Sequence, residues 1–141
     1  MKRILIFLLF AVALFGQELF LNNNTVSISS NGEILQGVAT ISVSDTTSLT
    51  AAQCYGTVIY VTGTTELDLP AIADGMNFSV ITIGAVAVSI DPDDADLIVL
   101  DGTAKANGAY ILNTSTAGDI AVMTYYSADG WHATTNTWTG E

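Results

Sequence analysis

Basic residues are almost missing from this chain. Three Lys or Arg stand against fourteen Asp or Glu in 141 residues, a formal net charge of -11. Binding to phosphate backbones takes clustered Lys and Arg, so the composition excludes a nucleic-acid partner. Cysteine is nearly absent too: Cys54 stands alone, and no disulfide can form within the chain. An exported chain without disulfides depends on packing, metal or oligomerisation for stability. Histidine is equally scarce, so any Ser-His-Asp chemistry would have to use His132. Charged residues make up only 12% of the chain, whereas 50% are hydrophobic. That balance excludes a disordered acidic tail, which lacks aliphatic residues. The length fits one domain.

The N-terminus has its own character. Met1-Lys2-Arg3 is a short basic start, followed by an apolar run over residues 4–15. A membrane-spanning helix needs about 20 residues. A shorter run behind positive charges reads as a secretory signal peptide, with cleavage expected near Gln17. The alternative is an uncleaved apolar anchor. Residues 1–17 are therefore set apart from the fold, residues 18–48 form an N-terminal β segment, and residues 49–141 form the main β domain. Without the first 17 residues, 141 − 17 = 124 remain, with Lys105 alone against fourteen acids, a net of -13. Such a strongly anionic surface repels acidic partners.

What is abundant is β-branched. After residue 17 there are 18 Thr, 11 Ile and 10 Val, or 39 of 124 residues. These side chains fit a pleated surface better than a helix. No window sustains the i, i+3, i+4, i+7 apolar pattern of an amphipathic helix. Short apolar runs are instead punctuated by Gly, Asn, Asp and Pro. The pattern predicts strands at residues 57–62, 66–69, 77–83, 86–90, 97–100, 109–112, 120–127 and 131–134. A single helical turn is expected at residues 49–54, with Thr50 as its cap. Residues 77–90 read as a hairpin turning at Gly84-Ala85, and Asp129-Gly130 reads as a second hairpin turn. Roughly ten short strands at this spacing predict an all-β fold, an antiparallel sandwich or a barrel-like domain. Residues 83–88 and 97–100 lack polar alternation. Runs of that kind are buried on both faces or against another chain. Exposed apolar edges aggregate, and symmetric self-association is the usual remedy.

Candidate chemistry is sparse. Asp91, Asp93, Asp94 and Asp96 form the densest acidic cluster, and hard cations such as calcium take several carboxylate oxygens from a flexible loop. The helix-loop-helix calcium pattern fails there, because Ala95 and Asp96 occupy a ligand position and the glycine position. A tight turn, with Asp side chains bonding their own backbone, is the competing reading. His132 has no Gly-x-Ser-x-Gly elbow to serve. Cys54 reads as a small buried apolar residue rather than a nucleophile. Tyr126, Trp131 and Trp138 could form a stacking surface for sugar rings, with core packing as the plain alternative. Alternation puts Tyr125 and Tyr126 on opposite faces. Asn-x-Ser/Thr triplets occur at Asn23, Asn77 and Asn113.

Taken in order, several pieces form a recognisable series. They are LTAAQCYGTVIYVTG, LDLPAIADGMNF, VSIDPDDADLIVLDGTA, GDIAVMTYYSADGW and the terminal Thr137-Trp138. Over residues 49–138 this series resembles a β domain of bacteriophage virion proteins of the tail-fibre, head-fibre and decoration types. The resemblance implies a homotrimeric, β-rich, non-enzymatic structural module. The apolar N-terminus departs from that pattern, since a virion protein assembled in the cytoplasm needs no export signal. Two function classes follow. One is a self-associating fibre or decoration subunit of a virion or cell surface, with other virion proteins as partners. The other is a secreted carbohydrate-binding module that uses the C-terminal aromatics on surface glycans. An enzyme stands third, because no set of nucleophile, base and orienting group can be named.

Overall fold

The computed structural model describes residues 19–21, 24–28, 34–36, 38–71, 73–92, 96–127 and 129–140. The chain divides into two compact units, Met1–Val38 and Ala39–Glu141. The first unit contains three antiparallel strands, β1 (Leu19–Leu21), β2 (Asn24–Ile28) and β3 (Ile34–Gln36). The proposed signal or anchor at residues 1–17 lies outside the described residues.

The second unit is all-β. Its twelve strands are β4 (Thr40–Val43), β5 (Thr47–Ser48), β6 (Tyr55–Val61), β7 (Thr65–Asp68), β8 (Asn77–Thr82) and β9 (Val88–Asp91), then β10 (Ile98–Leu100), β11 (Thr103–Ala104), β12 (Ile111–Leu112), β13 (Ile120–Tyr126), β14 (Gly130–Thr135) and β15 (Thr139–Gly140). They form a seven-stranded sheet, β11-β10-β14-β13-β8-β6-β4, and a five-stranded sheet, β15-β12-β9-β7-β5. One hydrophobic core draws on both sheets, which makes the unit a sandwich, and neither sheet closes into a barrel. Residues 39–48, grouped in the sequence with the N-terminal segment, pair into both sheets of this unit.

The first six strands alternate between the sheets. β4, β6 and β8 stack in parallel in the larger sheet. β5, β7 and β9 stack in parallel in the smaller one. Residues 40–91 thus wind through three coils, with Thr40 beside Val58 and Val58 beside Ser79. Parallel neighbours need a crossover of a dozen or more residues. Here that crossover is a strand of the opposite sheet. The corners bond from coil to coil: Thr62 N–H donates to the Val43 carbonyl at 2.9 Å, and Ile83 N–H to Val61 at 2.9 Å. Gly63 sits where one corner crosses another, and a Cβ there would run into the Ser44 carbonyl.

After β9 the chain closes the far side. β13 pairs antiparallel with β8 and β14, β12 pairs antiparallel with β9, and β10 lies parallel to β14. Two sequence expectations need correction. The sheets are mixed rather than antiparallel, with five of the ten pairings in this unit parallel. Residues 77–90 do not form a hairpin, because β8 and β9 belong to different sheets. Short apolar strands ending at glycine serve a coil corner as well as a hairpin, so punctuation alone does not separate the two. The Asp129-Gly130 turn is present and joins β13 to β14, with Tyr126 opposite Gly130. A single 3₁₀ turn, Ala51–Cys54, follows Thr50, whose amide and hydroxyl both donate to Gln53 Oε1 at 2.8 Å.

Candidate functional site

The aromatic residues are mostly interior. Trp131 points inward from β14 and is 0% exposed. Its indole meets Phe78 and Tyr125 edge-on, with ring centroids 5.7 and 5.5 Å apart. Such pairs add about 0.5–1.5 kcal/mol beyond burial. Trp138 is 6% exposed, whereas Tyr126 is 60% exposed. Neither indole offers a ring face to a sugar, so a stacking platform of Tyr126, Trp131 and Trp138 is not assembled. Alternation determines the parity of β13 and β14, and that parity sends Trp131 to the core and Tyr126 to solvent.

The acidic segment is only partly described. Asp93 and Asp94 lie outside the described residues. Asp91 ends β9 half-buried, and the Asp96 carbonyl accepts the Gly108 N–H at 2.8 Å. Among the described residues no group of three or more His, Cys, Asp or Glu side chains converges on a metal position. Asp68 and Asp91 are register partners on the outer side of the smaller sheet. Ser48 donates its hydroxyl to Asp68 Oδ2 at 2.8 Å. Cys54 is fully buried, and burial pushes its thiol up to about 12. A thiol held protonated in this way is no nucleophile. His132 alternates to the outer face of β14, away from the core that contains Cys54, with Nε2 3.9 Å from Asp129 Oδ2.

The densest polar network involves a residue that the sequence reading passed over. Asp119 is 1% exposed and Asn113 is 4% exposed. Asp119 Oδ2 accepts from Asn113 Nδ2 at 3.0 Å, from the Thr114 hydroxyl at 3.2 Å and from the Thr116 N–H at 3.0 Å. Oδ1 accepts from the Thr137 hydroxyl. Asn113 also accepts the Val88 N–H at 2.8 Å and donates to the Val86 carbonyl at 2.9 Å. Thr82 Oγ1 accepts the Asp119 N–H at 3.0 Å and donates to the Thr116 carbonyl at 2.8 Å. Burial raises the Asp119 pKa, but the bonds from Thr137, Thr116, Thr114 and Asn113 outweigh it and hold the carboxyl below its usual range. Both oxygens are occupied by structural donors, so this carboxylate holds the 113–119 loop together and ties it to Thr137, while Thr82 joins the loop to β8 and Asn113 joins it to the β9 corner. Burial also closes the Asn113 triplet to glycosylation in the folded chain. Asn77 is exposed and donates to the Gly75 carbonyl at 3.0 Å, and Asn23 lies outside the described residues.

The two outer faces differ in charge. The smaller sheet presents Glu66, Asp68 and Asp91 outward. A shallow groove of about 220 Å³ runs along it past Thr46, Glu66, Ser89 and Leu112, and no aromatic ring lines it. The larger sheet presents Thr, Ser, Asn, Val, Ile and Tyr, with His132 its only titratable group besides tyrosine. No helix among the described residues is long and apolar enough to cross a membrane.

No family model matches the sequence, and no curated relative matches it. One solved structure, described as a chaperone–substrate complex, is similar over 84% of this chain and 18% of that one, at 22% identity and a TM-score of 0.34. The chain therefore spans under a fifth of the length of that neighbour, and the likeness is too distant to carry a role.

Proposed function

We propose that this protein is a non-enzymatic structural subunit that assembles with copies of itself, as a fibre or decoration component on a virion or cell surface. The observation that carries the reading is three branched aliphatic side chains left in solvent. Ile83 is 57% exposed, Val122 42% and Ile120 39%, and the smaller sheet exposes one such side chain, Leu112 at 37%. Contiguous apolar surface of this kind marks an interaction site. Two further features support it. Cys54 is buried in the core while His132 lies on the outer face of β14, so these two do not meet. The ordered pieces over residues 49–138 resemble virion structural modules, for which a homotrimer is the expected assembly. The basic-then-apolar N-terminus favours export as the route to the surface.

The test is native mass, measured by size-exclusion chromatography with light scattering from about 1 to 100 µM, the range in which interfaces of modest area exchange. A particle of about three chain masses is expected. A monomer throughout that range would sink the proposal.

A further inference from the structure

We infer that the outer face of the seven-stranded sheet is where a second copy of this chain docks; the inference rests on the self-assembly proposed above and adds the surface that performs it. Strand register places the apolar residues side by side. Tyr60 stands next to Ile81, and Ile81 next to Ile120. One row along, Val58 neighbours Ser79, which neighbours Val122. These five apolar side chains occupy the centre of the face, and Thr, Ser and Asn surround them. None of the strand positions on this face is acidic or carries a lysine.

The occupant follows from charge. The chain carries a net charge of -11, and Lys105 is its only basic residue after Arg3. Two copies therefore have no basic patch with which to meet an acidic one. Contact through the smaller sheet would set Glu66, Asp68 and Asp91 of one copy against the same acids of the other, and like charges brought together oppose association. The larger sheet is the face on which copies can approach without that repulsion. Its four long strands, with their short neighbours, span roughly 30 Å by 20 Å at ordinary strand spacings. That is roughly 600 Å² per copy, somewhat below the ~800 Å² of a standard interface, so association at micromolar concentration is expected. The same face turned toward a common three-fold axis meets two copies instead of one.

The full chain provides the test. Val122→Glu places a charge at the centre of the face, and Leu112→Glu places the same charge on the smaller sheet. Circular dichroism and thermal melts check that both variants fold; Val122→Thr serves if Val122→Glu does not. Sedimentation velocity should show Val122→Glu weakening association at least ~100-fold, Val122→Thr by a lesser factor, and Leu112→Glu leaving it within ~3-fold. Raising salt should strengthen wild-type association, because it screens the repulsion between two anionic bodies. An oligomer indifferent to Val122→Glu and Val122→Thr overturns this surface while self-assembly stands. A wild-type monomer overturns both. If a Val122→Cys thiol on that monomer resists a thiol reagent that its side-chain exposure should admit, the occupant is another part of the same chain.

Discussion

Replacing Asp119 isolates how much of the fold depends on one buried carboxylate. Asp119→Ala removes four side-chain acceptor contacts at once, from Asn113, Thr114, Thr116 and Thr137. Hydrogen bonds to a charged group contribute about 1.5–3 kcal/mol each when considered singly. The four do not add, because alternatives remain. Asn113 keeps its bond to the Val86 carbonyl, and Thr114, Thr116 and Thr137 are exposed, so water can reach their donors. The Asn113 amide hydrogen aimed at Asp119 is the donor left buried. A loss of about 2–3 kcal/mol is therefore expected, or about 10–15 °C in melting temperature for a unit of this size. Asp119→Asn keeps the shape and one acceptor oxygen, and Thr137 can turn its hydroxyl to accept. It should cost about 1–2 kcal/mol, the loss of charge assistance. Acid provides a second readout. The folded carboxyl is depressed, so the unfolded chain binds the proton more readily. Its contribution is complete above the unfolded value of about 3.9 and fades as pH falls toward the folded one. The gap between wild type and Asp119→Asn should narrow between pH 6 and pH 2.5. Urea unfolding followed by tryptophan fluorescence measures all of this. An Ala variant within ~0.5 kcal/mol of wild type, with a gap unchanged by pH, would refute the reasoning.

Three further outcomes are expected. Gly130 has φ 90°, and a Cβ there would lie 2.6 Å from the Leu97 carbonyl oxygen, where β10 meets β14. Gly130→Ala should lower stability by about 2 kcal/mol or more in denaturant titration, and a neutral effect would mean the turn relaxes freely. Cys54 should resist a thiol reagent at pH 8 in the native protein and react fully in denaturant; reaction within minutes under native conditions would contradict its raised pKa. Trp131 and Trp138 should emit at short wavelength, escape iodide quenching and shift red on unfolding, whereas strong native quenching would place an indole at the surface.

Individual strands were more legible than their partners. Residues 57–62 and 66–69 were expected as strands, and β6 and β7 occupy nearly those positions, because β-branched density and glycine breaks are local signals. Which strand lies beside which is a long-range outcome. A period of two sorts Val58 from Ile59 by face but says nothing of whether Ser79 lies beside Val58 in parallel or antiparallel sense. The two-residue strands β11 and β15 were missed because nothing so short carries a pattern. Trp131 shows a related limit: alternation groups it with Ala133, but the core side is decided by Phe78 and Tyr125 from other strands. The Asp119 network was invisible because its donors span residues 113 to 137 and converge only after β8, β9 and β13 are placed. Its faint trace was Asn113, followed by the hydroxyl run Thr114-Ser115-Thr116.

The three coils give the molecule a direction of growth. Each coil takes about twenty residues and adds one strand spacing, about 4.8 Å, to each sheet. Lengthening the stack by another such segment leaves the depth of the core unchanged, since every coil touches only its neighbours. That freedom belongs to one side only. β13 and β12 run antiparallel across β8 and β9 and end the parallel series there, while β4 and β5 are the terminal strands of their sheets. Length variation among proteins built on this plan should therefore accumulate ahead of β4, in steps of one whole coil, and leave the segment from β10 to β15 constant in size.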